Sequence, residues 1–395
     1  MAWAEQRANR SWRVRYLKDD GTLGSIPGFP TQTSAENYAS TLEVDQQRGT
    51  FIDPAHGQIT LTEWSTKWVD ALDVGPRTDD QYRGLLRNHI LPRWGQTALC
   101  DISNIAVATW GKNKRAAGYS PTSVTLMTKV LSMMLADAAD ERLIPANPIR
   151  PRRRGTRPRT KRPERLWATP EQALRIADQA TALTGPWAGL LILTAAYTGA
   201  RWGELTGLQR HNTHPHRGTI TIDPEHGALQ ELNGHCQLGP PKTAESARTI
   251  SLPPFLTTLL QNHLATHTYR HVFVTADGQH PRRSNFARRV MRPATDGNRH
   301  RRHPPVPTIP ITPGLTFHGL RHSHKTWLID AGIPEIAQAR RLGHTLNDDI
   351  QELYSHVAAN VEQRLLTALE DQWHHTLTTT PLHHLELPPA HDSVG

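Results

Sequence analysis

Cysteine, aromatic residues and long apolar runs are all scarce in this 395-residue sequence. Its two cysteines, Cys100 and Cys236, are too few for a disulfide framework or for a zinc site with four thiolates. The longest apolar run, residues 187–200, has 14 residues, whereas a membrane-spanning helix needs about 20. The first ten residues lack the apolar stretch of a secretory signal. These absences predict a cytosolic protein with no membrane partner.

Positive charge is abundant and is concentrated in two stretches. The formal net charge is +9, and a hydrophobic content of 37% suffices for packed cores. Residues 150–165 hold nine lysines and arginines and one acid, and residues 270–303 hold nine arginines and two acids. Arginine makes paired hydrogen bonds to phosphate, so two such stretches indicate a polyanionic partner, most simply nucleic acid. For one stretch alone, a solvated surface segment is an equally good interpretation.

Local patterns predict a multi-domain α+β protein. We expect a small β-sheet and helix module, an all-helical domain, a basic linker, a mixed α+β domain and a disordered tail. Their predicted bounds are 1–57, 58–147, 148–165, 166–373 and 374–395.

Residue spacing supports each of these segments. Apolar and basic residues alternate over residues 12–17, as in a half-exposed strand, and Thr33 is the predicted cap of the helix that follows. In the second segment, apolar residues recur at helical spacing from Leu61 onward. Alternating proline and arginine favours an extended linker, and the final residues are rich in Thr, His and Pro, as disordered tails are.

Unusual polar groups stand within apolar surroundings in four segments of the last 200 residues. The segments are YTGARWGELTGL with Arg201 and Glu204, GPPKTAESARTISL with Lys242, TFHGLRHSHKTWLIDAGI with His318 and Arg321, and RRLGHTLNDDIQELYSHV with His344 and Tyr354. His318 and Arg321 are three residues apart and therefore share one helical face. Lys242 is expected in a turn that precedes a strand.

These four segments, in this order, resemble the tyrosine site-specific recombinases, also called phage integrases. The resemblance covers about residues 165–372. It implies that residues 58–147 form a core-DNA-binding domain and, less specifically, that the first module binds arm-type DNA. It also implies a homotetramer on double-stranded DNA attachment sites, with a directionality factor or a host DNA-bending protein as further partners. The implied role is integration and excision of a phage or mobile element at the bacterial nucleoid.

The residue chemistry suits that resemblance. Arg201 and Arg321 can each offer paired donors to phosphate oxygens. Tyr354 offers a phenolic nucleophile, and His318 is placed to accept its proton. Lys242 is the candidate general acid for a 5′-hydroxyl leaving group. His344 can donate a hydrogen bond to a non-bridging oxygen, and Glu204 is expected to orient the arginines. We expect neither a metal nor any other cofactor.

Two further groups of arginines are predicted to bind DNA. The linker group would lie along the phosphate backbone without reading bases; it comprises Arg152, Arg153, Arg154, Arg157 and Arg159. Arg13 and Arg15 alternate with apolar residues, so they would project from the exposed face of a thin sheet that can enter a major groove.

Three other interpretations remain open from the sequence. A metal-dependent nuclease could use His318 and His322, but no Glu follows the first histidine as the zinc-protease pattern requires. It could also use His211, His214 and His216, but no acidic cluster accompanies that group. A DNA-binding regulator without catalysis would not need the full set of arginines, histidines and tyrosine. A topoisomerase-like nicking and closing enzyme would share the chemistry, although the additional N-terminal module favours recombination between defined sites.

Overall fold

The computed structural model describes residues 2–8, 11–18, 21–53, 55–149, 164–232, 234–300, 304–344 and 358–384. It divides into two compact units, Met1–Arg159 and Thr160–Gly395, each with its own hydrophobic core. The arginines predicted in the linker, Arg152 to Arg159, lie outside the described residues, as does Tyr354. Across the described ranges, no helix is both long enough and apolar enough to cross a bilayer.

A small sheet packed on one helix begins the first unit. The elements are β1 (Ala2–Gln6), β2 (Trp12–Leu17), β3 (Leu23–Phe29) and α1 (Gln32–Gln47), and the strands pair antiparallel in that order. Val14 and Tyr16 of β2 are buried, which confirms the alternation expected for this strand. The predicted cap was wrong: Thr31, not Thr33, caps α1, because its hydroxyl accepts from the amide of Ser34 in a reciprocal capping box. Strand β1 was not predicted.

The rest of the first unit is helical, as expected. It contains α2 (Leu61–Asp70), α3 (Pro76–Leu85), a π-helical turn (Leu86–Ile90), α4 (Leu91–Trp94), α5 (Asn104–Ala116) and α6 (Pro121–Asp140). The Thr60 hydroxyl caps α2, and Ser120 caps α6 with Pro121 at the first helical position. Trp64 packs into the core and donates its ring N–H to the carbonyl of Met134 on α6, 2.9 Å away. Amphipathic helices around one core account for this part of the chain.

The second unit combines helices with two small sheets. Its helices are α7 (Pro170–Thr184), α8 (Pro186–Thr198), α9 (Trp202–Thr206), α10 (Pro254–Ala265), α11 (Arg283–Phe286), α12 (Arg292–Asp296), α13 (Phe317–Asp330), α14 (Glu335–Leu342) and α15 (Ala359–Thr379). Its strands are β4 (Thr213–His214), β5 (Thr219–Ile222), β6 (Ala228–Leu232), β7 (His235–Gly239) and β8 (Arg248–Ser251). One sheet has the order β4-β5-β8, and β6 pairs with β7 as a hairpin.

Helix α8 is the centre of the second unit. Every described residue from Trp187 to Thr198 is buried, so this helix is apolar all round and packs against neighbours on all sides. At its C-terminal end Tyr197 meets the rings of Phe255, Trp327 and Trp373, and Phe255 stacks on Trp373 with centroids 4.1 Å apart. This aromatic cluster fixes α10, α13 and α15 around the end of α8, where the polar segments meet.

The prediction of a disordered tail from residue 374 was wrong at its start. Helix α15 continues to Thr379, and Thr376 is fully buried against the core. Beyond the helix, the backbone amides of His383 and His384 donate to the buried carboxylate of Asp178 on α7. The composition of this stretch, rich in threonine, is typical of a disordered tail and gave no sign of a helix. In the structure, Thr376 and Leu377 continue the apolar face of α15. Residues 385–395 lie outside the described ranges.

Candidate active site

Arg201 stands at a sharp turn between α8 and α9. Gly199 ends α8 with φ of +66°, and a Cβ there would lie 2.5 Å from a methyl carbon of Leu342, so only glycine fits. The chain then re-enters a helix with Arg201 as its N-cap. The Arg201 amide donates to Glu204 Oε2 at 2.9 Å, and its Nη1 donates to Glu204 Oε1 at 2.7 Å. The local turn therefore fixes the guanidinium through the carboxylate of its own helix.

Glu204 is buried and joins two arginines. Its side chain is 2% exposed, and its Oε2 also accepts from Arg248 Nη2 at 3.0 Å. Burial opposes ionisation, but the charge and hydrogen bonds of Arg248, together with the bonds from Arg201, outweigh it. The pKa of Glu204 consequently lies below its ordinary value. The carboxylate is ionised at neutral pH, which suits the orienting role expected from the sequence.

Arg321 projects from α13 into the same region and is 4% exposed. Its Nη1 donates to the carbonyl of Gly199 at 2.7 Å, and its Nη2 donates to the carbonyl of Leu342 and to His344 Nε2 at 2.8 Å. Burial, followed by repulsion from Arg201, lowers the pKa of Arg321 to about 9. The guanidinium is still charged at neutral pH, and the nearby carboxylate of Glu204 only partly offsets the effects of burial and of the neighbouring arginines.

The C-terminal end of α14 holds three arginines together. The carbonyls of three consecutive residues there each accept from a different guanidinium. Arg341 O accepts from Arg248 Nε at 2.7 Å, Leu342 O from Arg321 Nη2, and Gly343 O from Arg201 Nη2 at 3.2 Å. The last carbonyls of a helix have no partners within the helix and carry its negative dipole end. They therefore attract and orient the guanidinium groups.

His344 follows this helix end directly. Because a guanidinium can only donate, His344 Nε2 must accept the bond from Arg321, which places the imidazole proton on Nδ1. Partial desolvation, then the charges of Arg321 and Arg201, lower the pKa of His344 to about 4. The ring is neutral at physiological pH. A hydrogen bond from His344 to a phosphate, expected from the sequence, must therefore come from Nδ1 while Nε2 is engaged in this way.

His318 lies at the start of α13, three residues before Arg321. Its ring stacks edge-on against His322, with centroids 4.9 Å apart. Partial desolvation, followed by His322 and then the cations Arg321, Arg283 and Arg165, lowers the pKa of His318 to about 4. The imidazole is therefore neutral and free to accept a proton, which is the role expected for it, and the same cations that keep it neutral make it a weaker base than an ordinary histidine.

Lys242 occupies an exposed bend after the β6–β7 hairpin, two residues before the start of a short 3-10 turn, Ala244–Ser246. Among the described residues its ammonium has neither a hydrogen bond nor an ion pair. The turn itself is attached to the site, because the Ser246 hydroxyl accepts from Arg201 Nη1 at 2.8 Å. The structure thus brings together Arg201, Glu204, Arg321 and His344, with His318 beside them and Lys242 on an adjoining loop.

Sequence reasoning missed Arg248, Ser246 and Arg341. A signal existed for Arg248: it stands two residues before the buried Ile250 in a strand, and alternation places both on the same inner face. Arg341 is 5% exposed and donates to His324 Nε2 at 3.0 Å and to the carbonyls of Ser251 and Tyr197. No simple sequence pattern distinguishes Arg341 from the adjacent Arg340, which is exposed.

The site carries more positive than negative charge. Within the described ranges, Glu204 is the one carboxylate bonded to this arginine cluster, and its partners are Arg201 and Arg248 rather than Arg321. Most of the remaining arginine donors are met by backbone carbonyls, which accept hydrogen bonds without cancelling the charge. A site of this kind favours an anion with several oxygens.

Arginines also line the surface of α11, the following turn and α12. The exposed residues there are Arg282, Arg283, Arg288, Arg289 and Arg292. None of them forms an ion pair with an acid in the described part of the chain. Arg283 lies close enough to lower the pKa of His318, so this basic surface is continuous with the candidate site.

The arginines of the N-terminal module are partly neutralised. Glu5 on β1 accepts from Arg13 Nε and Nη2 at 3.0 and 2.8 Å, and from Arg15 Nε at 3.1 Å. Both guanidinium groups lie on the face of the sheet opposite Val14 and Tyr16, as expected. The sheet therefore presents an ordered arginine, glutamate and arginine set rather than two free cations.

The nuclease interpretation depended on clustered histidines. In the ranges that the structure describes, no group of three or more His, Cys, Asp or Glu side chains is arranged to hold a metal ion. His324, another histidine of α13, is fully buried and accepts from Arg341, so its pKa lies well below the ordinary value. The Nε2 atom of His324 is therefore occupied by Arg341.

Three comparisons connect this geometry with known proteins. The model of the phage integrase family matches residues 166–360. The putative prophage phiRv2 integrase of Mycobacterium tuberculosis (strain CDC 1551 / Oshkosh) is 26% identical over 349 residues, which cover 85% of this chain and 86% of that protein.

Two solved structures are similar in fold. The Tn1549 transposon integrase, in complex with a circular intermediate DNA, aligns with a TM-score of 0.57 at 17% identity, over 79% of this chain and 99% of that one. A lambda integrase tetramer bound to a Holliday junction aligns with a TM-score of 0.52 at 18% identity, over 90% and 98% of the two chains. These likenesses confirm the predicted fold class.

Proposed function

We propose that this chain is a tyrosine site-specific recombinase of the phage integrase family, which its similarity to that family's model and to a prophage integrase supports. In this proposal Arg201 and Arg321 hold a scissile DNA phosphate and Tyr354 attacks it. One observation carries this proposal: the two guanidinium groups are bonded to consecutive residues, Leu342 and Gly343, directly before His344. Donors fixed in this way need no rearrangement when charge grows on the phosphate oxygens. Tyr354 follows in sequence and lies outside the described residues.

The proposed reaction exchanges one phosphoester bond for another. The phenolic oxygen of Tyr354 bonds to phosphorus, the bond to the 5′ oxygen breaks, and a 3′-phosphotyrosyl link remains. Neutral His318 accepts the phenolic proton, Lys242 supplies a proton to the departing 5′ oxygen, and His344 donates from Nδ1 to a non-bridging oxygen. Because the phosphotyrosyl link conserves the bond energy, the reverse attack by a 5′ hydroxyl rejoins the strand without a nucleotide cofactor.

The substrate we propose is double-stranded DNA containing attachment sites of a phage or mobile element. Support comes from the prophage relative and from the transposon integrase that shares the fold. We propose a homotetramer as the active assembly, since lambda integrase has been solved as a tetramer on a Holliday junction. Acting on chromosomal DNA, the protein would be found with the nucleoid, where a directionality factor or a DNA-bending protein would assist it.

We further propose how the domains divide DNA binding. Residues 58–147 bind the crossover site, and the linker at 148–165 tracks the phosphate backbone through Arg152, Arg153, Arg154, Arg157 and Arg159. The unpaired arginines of α11 and α12 extend the phosphate-binding surface beside the active site. The module of residues 1–57 binds a second DNA site through Arg13 and Arg15. Footprinting on natural attachment DNA tests that last point, because protection confined to the crossover site would contradict it.

Replacing Tyr354 with phenylalanine tests the nucleophile. A nicked duplex that loses a short fragment on cleavage traps the covalent complex, which a denaturing gel then resolves. We expect Tyr354→Phe to bind the duplex and to form no covalent complex. The matched control is Tyr269→Phe, which removes the hydroxyl of an exposed tyrosine in the same unit and should leave trapping unchanged. A covalent complex that persists in Tyr354→Phe would refute the assignment.

A further inference from the structure

Ser246 connects the loop of Lys242 to the arginine clamp. It ends the 3-10 turn that begins two residues after Lys242, and its side chain is fully buried. Its hydroxyl accepts from Arg201 Nη1 at 2.8 Å and lies 3.1 Å from the hydroxyl of Thr243. Thr243 is the residue directly after Lys242. A continuous chain of hydrogen bonds therefore runs from the clamp to the neighbour of the lysine.

The backbone of Ser246 is held as firmly as its side chain. Its carbonyl accepts from Arg248 Nη1 at 2.6 Å, and its amide donates to the carbonyl of Thr243 at 3.1 Å. Gly343 packs so closely that a Cβ on it would lie 2.9 Å from Ser246 Cα. Two arginines and the end of α14 thus fix one end of the turn, while Lys242 lies four residues away on its exposed side.

We propose that Ser246 is a positioning residue for the general acid. This inference rests on the proposed roles of Arg201 and Lys242. When Arg201 binds the phosphate, the hydroxyl of Ser246 sets the distance between that phosphate and the turn that carries Lys242. The ammonium is then within reach of the 5′ oxygen as the phosphorus–oxygen bond breaks. Without the hydroxyl, the clamp still binds phosphate, but the lysine loop is attached to it less firmly.

Two substrates separate this role from a general loss of structure. Single-turnover cleavage is measured for the full-length protein on a nicked duplex with oxygen at the bridging 5′ position, and on the same duplex with sulphur there. A thiolate leaves without taking up a proton, so a defect confined to the general acid disappears on the sulphur substrate. A defect in the clamp remains on both.

We expect Ser246→Ala to cleave the oxygen substrate about tenfold to a hundredfold more slowly, as for loss of a hydrogen bond to a charged group. Lys242→Ala should be slower by about 10² to 10⁴. On the sulphur substrate both variants should approach the wild-type rate, whereas Arg201→Gln should stay slow. Thr249→Val is the matched control, since it removes an exposed hydroxyl from β8 away from the clamp; both of its rates should equal those of the wild type.

Thr243→Val covers the case in which Ser246→Ala does not fold. It removes the exposed partner of Ser246 and leaves the bond to Arg201, so a smaller defect with the same selective rescue is expected. Two outcomes contradict the role of Ser246 and leave that of Lys242 intact. In the first, Ser246→Ala cleaves the oxygen substrate at the wild-type rate. In the second, Ser246→Ala is equally slow on both substrates while Lys242→Ala is rescued by sulphur. If Lys242→Ala also stays slow on sulphur, the general-acid assignment fails, and the role of Ser246 fails with it.

Discussion

Replacing Glu204 with glutamine removes the carboxylate that the arginine cluster shares. The side chain keeps its size. Of the three bonds that Glu204 now receives from Arg201 and Arg248, the glutamine carbonyl oxygen can still accept two in the position of Oε2 or one in the position of Oε1. The lost charge leaves the guanidinium groups of Arg201, Arg248 and Arg321 close together without a counter-ion among the described residues. Attraction to Glu204 also favours the charged form of Arg321. The pKa of Arg321, about 9 in the wild type, should therefore be lower in the variant.

The expected loss of stability follows from burial. Removing one partner of a buried ion pair costs about 3–5 kcal/mol, and the retained amide places Glu204→Gln near the lower figure. With a urea dependence of roughly 2–3 kcal/mol per molar, about 3 kcal/mol lowers the unfolding midpoint of the second unit by about 1–1.5 M. Sulphate should recover part of this loss, because an anion bound by the cluster replaces the missing charge and stabilises the folded state.

Pulse-labelled amide exchange over a urea series measures this effect in the full-length protein, since peptides from α8 and α13 report on the second unit alone. Glu335→Gln serves as control, because Glu335 is exposed at the start of α14. The free energy of unfolding of this variant should differ from that of the wild type by less than about 0.5 kcal/mol. A midpoint for Glu204→Gln within about 0.3 M of the wild type, with no additional response to sulphate, would refute the reasoning that one buried carboxylate balances the cluster.

Three other predictions concern the helix end, the linker and a buried histidine. Gly343→Ala should lower the unfolding midpoint and slow cleavage, because φ is +63° and the new Cβ would lie 2.9 Å from Glu245 O; Gly332→Ala, with φ of +65° and open space, should show only the backbone cost of about 1–2 kcal/mol. Replacing Arg152, Arg153 and Arg154 with glutamine should reduce the slope of log affinity against log salt by up to about 2.7 for all sequences alike, measured by fluorescence anisotropy. The folded-state pKa of His324 lies below its ordinary value, so its stabilising contribution is present above about pH 6.5 and is lost as the pH falls; His324→Gln should therefore flatten the decline of the melting temperature between pH 7.5 and 5.5.

Much of the fold could be predicted because its determinants are local. Helix α2 has its capping box at Thr60 and Glu63, and α6 has Ser120 followed by proline, so each start is written in a few adjacent residues. The strands β6 and β7 were not predicted from the residue pattern, because both are short and β7 has no buried residue to give an alternating pattern. The prediction ended helix α15 too early because it treated the threonines as exposed tail residues. A threonine can be buried in a helix when its hydroxyl bonds to the preceding turn, as Thr376 does with Gln372 O.

The sequence identified site residues only where they stand in a recognisable motif. Arg201, Arg321 and His344 stand in motifs that resemble a family, so their sequence context identifies them. Arg248 and Ser246 make equally specific bonds, but their partners lie 44 and 45 residues away along the chain, and no local rule relates them. The acceptor role of His344 Nε2 was also invisible, because it depends on the direction from which the Arg321 guanidinium approaches.

The choice of acceptors explains how this site can keep its charge without a substrate. A buried guanidinium must have its donors satisfied, and carboxylates would satisfy them at the expense of the positive charge. Here the carbonyls of Gly199, Leu342 and Gly343 satisfy donors of Arg321 and Arg201 while leaving both groups cationic. Glu204 is the exception, and it is shared between two arginines. The fold therefore supplies orientation through neutral acceptors and leaves the balancing negative charge to come from a phosphate.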